Sequence, residues 1–208
     1  MITLTKEIRD AMTPQQAIDL LKEGNQRFID NLNVDRNLLK QINETSEAQH
    51  PFAFILSCID SRTSAELIFD QGLGDIFSCR IAGNILNDDI IGSMEFACKI
   101  GGVKLIMVLG HSECGAIKGA CDHVKLGKLS GLLRKIKPAM KLEKSVKNKE
   151  KRHSQNSQFV ENVASLNVKL AMNKIAKQSS LIKKMNKRGE IAIIGGMYHI
   201  DSGIVNFY

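Results

Sequence analysis

Strands alternating with helices over most of the chain predict an α/β protein with a central, mostly parallel β-sheet flanked by helices. Three observations carry this. Short apolar runs at 52–57 and 104–109 have the length of buried strands and are too short for buried helices. Between them lie segments of helical periodicity ended by glycines. The chemically distinctive residues follow directly on two of these runs, at the carboxyl ends where open α/β sheets gather their ligands.

Thr13-Pro14-Gln15-Gln16 starts the first helix: Thr13 caps, Pro14 suits the first helical position, and Gln16 completes a capping box. Ala17, Leu20, Leu21 and Phe28 keep a helical period to about Ile29, with Gly24 a mild weakness in the middle. A more polar segment covers roughly 36–48. Both pieces need a surface to pack on, which either the main sheet or a second subunit can supply. The strand at 52–57 then delivers Cys58, and a helix over about 64–70 follows. Residues 76–81 read as a strand, and 89–99 as a helix stopped by Gly101-Gly102. The run 104–109 is the clearest buried strand, with Met107 in the core, and a helix begins near Gly115. Residues 166–178 and 181–187 read as helices, the second ending at Gly189, and 191–194 as a last strand. The reading is one domain over 1–208, with 1–48 as an N-terminal helical arm and 49–208 as the α/β core.

A chain of 208 residues with 43% hydrophobic and 25% charged residues can bury one large core. No secretory leader pattern and no apolar run near the roughly 20 residues of a bilayer span is present, so export and membrane insertion are not expected. Five cysteines are an odd number for a disulfide framework and fit reduced thiols in a cytoplasm. Cys79, Cys98 and Cys121 read as small buried hydrophobes, and His50, His153 and His199 as surface or hydrogen-bonded residues, Tyr198-His199 being the best placed to support an interface. The formal charge of +7 suggests nucleic acid until it is located. Nine Lys or Arg from Arg134 to Arg152 face only Glu143 and Glu150, and the remainder of the chain is neutral. That run has no aromatic residue for base stacking and is expected to be a solvated helix or mobile loop that attracts anions weakly, not a nucleic-acid site.

Cys58, His111 and Cys114 carry the chemistry. Thiolate and imidazole are ligands that zinc prefers, and a Cys₂His set leaves the fourth tetrahedral position open, where structural sites close all four. His111 and Cys114, three residues apart at the start of a helix, can share one ion. In Cys58-Ile59-Asp60-Ser61-Arg62, a thiolate, a carboxylate and a guanidinium recur on one side of an extended segment. A lone Asp60 beside the open position would compete for it; paired with Arg62 it is held as a hydrogen-bond acceptor.

These segments closely resemble the β-class carbonic anhydrases. Cys58-x-Asp60-Ser61-Arg62 and His111-x-x-Cys114-Gly115 are similar to that family's zinc signatures. Between them, Gly74-Asp75-Ile76-Phe77-x-x-Arg80-x-Ala82-Gly83-Asn84 and Glu95-Phe96-Ala97 fall where the family has segments of its own. The resemblance is strong over about residues 49–120 and weak in the flanks. It implies reversible hydration of carbon dioxide to bicarbonate and a proton by a zinc-bound hydroxide, with one Zn²⁺ per chain on Cys58, His111 and Cys114. Asp60 and Arg62 become the catalytic dyad that orients the hydroxide. Gln49, Phe77, Ala82 and Gly115 become substrate-binding residues, Gln49 as donor to bicarbonate and Phe77 and Ala82 as the lining of a small apolar pocket. It further implies a homodimer or homotetramer whose N-terminal helices pack on a partner subunit, with no nucleic acid and no membrane as partner.

Ala65, Ile81 and Phe96 depart from residues frequent in the family, and none is a ligand. A subgroup with a regulatory bicarbonate site has tryptophan where this chain has Ile55, which favours the permanently open subgroup with Asp60 only an occasional fourth ligand of a closed state. Two rivals share the metal: a silent zinc protein closed by Asp60, and a hydrolase of carbon disulfide or carbonyl sulfide. Two thiolates neutralise Zn²⁺ where three histidines leave its charge in place, so activity is expected to rise toward alkaline pH. Carbon dioxide hydration measured across pH tests this; a rate flat between about pH 6 and 9 contradicts it.

Overall fold

The computed structural model describes residues 4–208. Its sheet has five strands in the order β2-β1-β3-β4-β5: β1 (Ala53–Ser57), β2 (Ile76–Arg80), β3 (Leu105–His111), β4 (Ala192–Tyr198) and β5 (Val205–Phe207). The first four are parallel and β5 runs antiparallel to β4. The sheet is α/β and mostly parallel, as the strand–helix alternation predicts.

Alternation along the strands divides the core in two. Phe54 and Leu56 of β1, with Ile106 and Val108 of β3, face one side. Ala53, Ile55, Leu105, Met107 and Leu109 face the other. Because β1 and β3 are covered on both faces, every residue in them is buried and the sequence reads as an unbroken apolar run.

On the second side lies α2 (Pro14–Ile29), whose start is the capping box read from the sequence: Gln16 N donates to Thr13 Oγ1 at 3.2 Å and Thr13 N to Gln16 Oε1 at 2.8 Å. Ala17 and Leu21 are fully buried there against the chain's own sheet. Gly24 is not a weak point. A Cβ on it would stand 1.8 Å from the carbonyl oxygen of Phe69, so glycine lets α2 lie directly on the loop after α4 (Ala65–Ile68). The arm's return is tied by Asp70, whose carboxylate accepts from Arg27, Arg36 and the backbone N of Val34. Before α2 lies a short helix, α1 (Lys6–Ala11), that the periodicity does not reveal. After it comes α3 (Leu38–Thr45), whose Leu38, Leu39 and Ile42 are exposed.

The first side carries α5 (Asp88–Phe96), α6 (Gly115–Cys121), α7 (Leu129–Arg134), α8 (Lys137–Leu142), α9 (Ser157–Gln178) and α10 (Ser180–Lys187). Three expectations need correction. The long helix starts at Ser157, nine residues before the periodicity shows it, because Asn156 caps it on Phe159 N. The last parallel strand continues past 194 to Tyr198 through Gly195 and Gly196. A Cβ on Gly195 would meet Met172 Sδ at 2.5 Å, so this glycine admits α9 onto the sheet, while a Cβ on Gly196 would meet Met107 Cε of β3 at 2.7 Å. The basic run is neither wholly solvated nor a loose loop: it contains the last residue of α7 and the whole of α8, and its Ile136 and Ala139 are buried. Among the described residues no helix is long and apolar enough to cross a membrane.

Gly24→Ala is expected to destabilise the protein by about 1–3 kcal/mol, since the added methyl meets backbone that cannot rotate away. Urea unfolding of the two proteins measures it, and an unchanged midpoint would mean that α2 does not rest on the Phe69 carbonyl.

Candidate metal centre

The strand order creates the centre. The chain leaves β1 for the edge at β2 and returns to β3 on the other side, so the carboxyl ends of β1 and β3 flank a switch point. Cys58 follows β1 by one residue and His111 ends β3. Cys114 is the N-cap of α6, with Gly115 the first residue of that helix.

The donor atoms of these three residues all lie within 4.8 Å of one another, and the residues are 4%, 1% and 1% exposed. Cys58 Sγ and Cys114 Sγ are 3.9 Å apart. Two sulfurs each about 2.3 Å from a shared ion at a tetrahedral angle stand about 3.8 Å apart, so the pair has the spacing of metal ligands. His111 supplies the decisive atom. Its Nδ1 lies 2.8 Å from the carbonyl oxygen of Ser112, which can only accept, so Nδ1 carries the proton and Nε2 keeps its lone pair. Nε2 is buried without a hydrogen-bond partner among the described residues. A buried acceptor left open beside two sulfurs fits a cation.

Between the sulfurs the ionisation is shared unequally. The contact with the Cys114 side chain, together with the bond from Gly83 N, holds the Cys58 thiol below its usual range. Cys114 is pushed upward by the same contact and by burial. A divalent ion in the shared space would hold both as thiolates.

Several groups set the positions of the donors. Gly83 N donates to Cys58 Sγ at 3.3 Å, and Gly83 adopts φ +69°, which few other residues tolerate. Its own carbonyl accepts from Asn167 Nδ2 of α9 at 2.9 Å. Arg80 Nε donates to Cys58 O at 2.9 Å, and Thr63 Oγ1 donates to the same oxygen at 3.1 Å and to Asp60 O at 2.9 Å. Ser112 is held from the far side: its N donates to Tyr198 O at 2.9 Å and its Oγ accepts from Ile200 N at 3.0 Å. The sequence reading assigned no role to Arg80, Gly83, Thr63 or Ser112. Arg80 and Gly83 stand in a segment singled out by resemblance; Thr63 acts through its hydroxyl on two carbonyls and Ser112 through its own N, O and Oγ, contacts that short spacing does not signal.

Asp60 and Arg62 form a two-pronged pair, Nε–Oδ1 at 2.9 Å and Nη2–Oδ2 at 2.8 Å, and Arg62 N adds a bond to Oδ1 at 3.0 Å. The guanidinium holds the Asp60 carboxyl well below the usual carboxylate range, so it is ionised at every ordinary pH. Both its oxygens turn to Arg62, and the carboxylate stands outside the three-donor set.

Of the residues expected to bind substrate, the fold brings two to this edge. Ala82 precedes Gly83, and Gly115 follows Cys114. The other two lie elsewhere in the same chain. Phe77 pairs in register with Phe54, four residues before Cys58, and packs on Phe96 with ring centroids 6.4 Å apart. Gln49 is exposed beyond the opposite end of β1; Phe52 to Cys58 alone spans about 20 Å at about 3.3 Å per residue. The remaining cysteines stay apart. Cys98 and Cys121 are buried, their thiols pushed up to about 12 and about 11 by burial, whereas Cys79 is only half-buried, on the edge strand where one face of the sheet ends. Tyr198 is itself buried, paired with His111, while His199 Nε2 meets Asn206 Nδ2 at 2.9 Å and His153 Nδ1 accepts from Gln155 N.

Residues 53–205 match the family model described as carbonic anhydrase. The chain belongs to the β-carbonic anhydrase family. Carbonic anhydrase 2 of Mycobacterium tuberculosis is 34% identical over 206 residues, covering 91% of this chain and 90% of that protein. A carbonic anhydrase of Mycolicibacterium smegmatis is 33% identical and covers 92% of each. Among solved structures, the β-carbonic anhydrase CcaA superposes with a TM-score of 0.70 at 25% identity, covering 93% of this chain and 94% of that one. The β-carbonic anhydrase CafA of Aspergillus fumigatus, at 24% identity and TM-score 0.72 over 93% and 89%, shares the fold.

Gly83→Ala is expected to weaken metal binding by about 10-fold or more, because a Cβ there requires a strained backbone and moves the N–H off Cys58. Competition for Zn²⁺ against a coloured chelator reads this, and unchanged affinity would show that the Gly83 contact does not set the sulfur's position.

Proposed function

We propose that this chain catalyses the reversible hydration of carbon dioxide to bicarbonate and a proton, as a zinc-dependent lyase with one Zn²⁺ on Cys58, His111 and Cys114. The observation that carries the reading is His111 Nε2, buried and open beside a sulfur pair at ligand spacing, with the ionised carboxylate of Asp60 two residues along the chain from Cys58. Bound there, zinc supplies a Lewis acid that makes water acidic enough to act as a nucleophile. The chain's own residues do the rest. Asp60 accepts a hydrogen bond from the attacking water and turns its lone pair toward the carbon. Arg62 keeps both carboxylate oxygens in place and offsets the charge that would repel a developing hydroxide. One C–O bond forms at the carbon of carbon dioxide, and the water's proton leaves to solvent.

Because Asp60 is committed to Arg62, the catalytic reading is favoured over a silent protein closed by a fourth ligand. A second copy of the chain completes the substrate pocket in this proposal. Gln49 and Phe77 lie far from their own chain's sulfurs, Phe77 is on the edge strand, and α3 exposes three apolar side chains, all of which suit a homo-oligomer. The free cysteines suit a reducing cytoplasm.

Asp60→Ala is expected to keep a full complement of zinc while kcat for carbon dioxide hydration falls at least about 100-fold. Metal content and stopped-flow hydration, measured on the same preparation, test it. Unchanged turnover would remove Asp60 from the reaction; lost zinc would reassign it to holding the metal.

A further inference from the structure

The whole formal charge of the chain lies between Arg134 and Arg152, and the fold gathers much of it around one groove. Residues 143–152 are tied into a knot. Glu143, 2% exposed, accepts from Ser145 N at 2.9 Å, Val146 N at 3.2 Å and Arg152 Nη1 at 2.6 Å. Arg152 also donates to the carbonyls of Met140 and Val146, at 2.6 and 3.0 Å, and lies 4.6 Å over the Phe159 ring. One carboxylate and one guanidinium are thereby consumed inside, and the lysines are left outside on a fixed scaffold.

Lys137, Lys141, Lys144, Lys147 and Lys149 stand around a groove of about 900 Å³ with the half-buried Met140 and Val146 along its floor. All five lysines are exposed, and none takes part in an ion pair among the described residues. Like charges held together around an apolar floor create a potential that an anionic chain relieves.

We infer that this groove docks an acidic, extended polypeptide segment of a partner protein, with carboxylates on the lysine rim and an apolar side chain on the floor. Nucleic acid is a poorer occupant, since base stacking needs exposed aromatic faces and Phe159 is fully buried beneath Arg152. An anionic bilayer is also poorer: a membrane surface takes up projecting apolar side chains, and here the apolar groups line a recess. The site lies beyond the C-terminal end of α6, away from the three metal donors at its start.

The test measures fluorescence anisotropy of a labelled peptide of alternating glutamate and leucine against the full-length protein. A glutamate-only peptide, a single-stranded DNA oligonucleotide and phosphatidylglycerol vesicles are the comparison arms. Saturable binding is expected that falls with salt, is weaker for the glutamate-only peptide, and drops about tenfold in Lys144→Glu/Lys147→Glu and again in Lys137→Ala/Lys141→Ala. Absence of saturable binding, affinity unchanged in both double variants, equal affinity for the glutamate-only peptide, or tighter binding to DNA or vesicles overturns the assignment.

Discussion

Parallel pairing of β1 with β3 is the constraint on which the rest of this molecule depends. Neighbouring strands in a sheet run about 4.8 Å apart, and parallel strands end on the same edge. Cys58 and His111, remote in sequence, are therefore delivered side by side within the 4.8 Å that joins the donor atoms. The departure to β2 and return to β3 leaves a crevice there, and α6 starts at its rim with Cys114 as cap. Side-chain alternation does the remaining selection. Phe54, Leu56 and Cys58 share a side of β1, so the sulfur points into the core region that holds Cys114.

Burying two thiols and an imidazole acceptor together carries an electrostatic cost that a cation resolves. The two sulfurs stand 3.9 Å apart, and Nε2 has no hydrogen-bond partner among the described residues. The surrounding bonds each have a backbone group on at least one side: Gly83 N donates to the Cys58 sulfur, Ser112 O accepts from His111, and the carbonyl of Cys58 accepts from the side chains of Arg80 and Thr63. Asp60–Arg62 adds an ion pair partly exposed at the rim, where a carboxylate can be kept ionised without deep burial of the pair.

How much was legible depended on the range of the signal. Thr13 and Gln16 are three apart, and their capping box formed as read. The buried strands and the helices after Asn87 and Ser179 are likewise local, set by runs and caps within one turn. Gly24 was read as a weakness and the last strand was ended at 194, before Gly195 and Gly196, because each of these glycines answers to a neighbour distant in sequence: Phe69, Met172 and Met107. The basic run misled for the opposite reason. Its composition reads as solvated, but Ile136 and Ala139, three apart, share a helical face that packs on the core, and Glu143 with Arg152 closes the loop that follows.

By itself the sequence determined the ligand types, their attachment to strand ends and the sign of the charge on each rim, because residue identity and short spacing carry those directly. Tertiary structure alone decided the tautomer of His111, the commitment of Asp60 to Arg62, and the placing of Gln49 and Phe77 away from their own chain's sulfurs. Each of these rests on which strands lie next to each other and on hydrogen bonds between distant backbone groups, and neither leaves a mark on residue type.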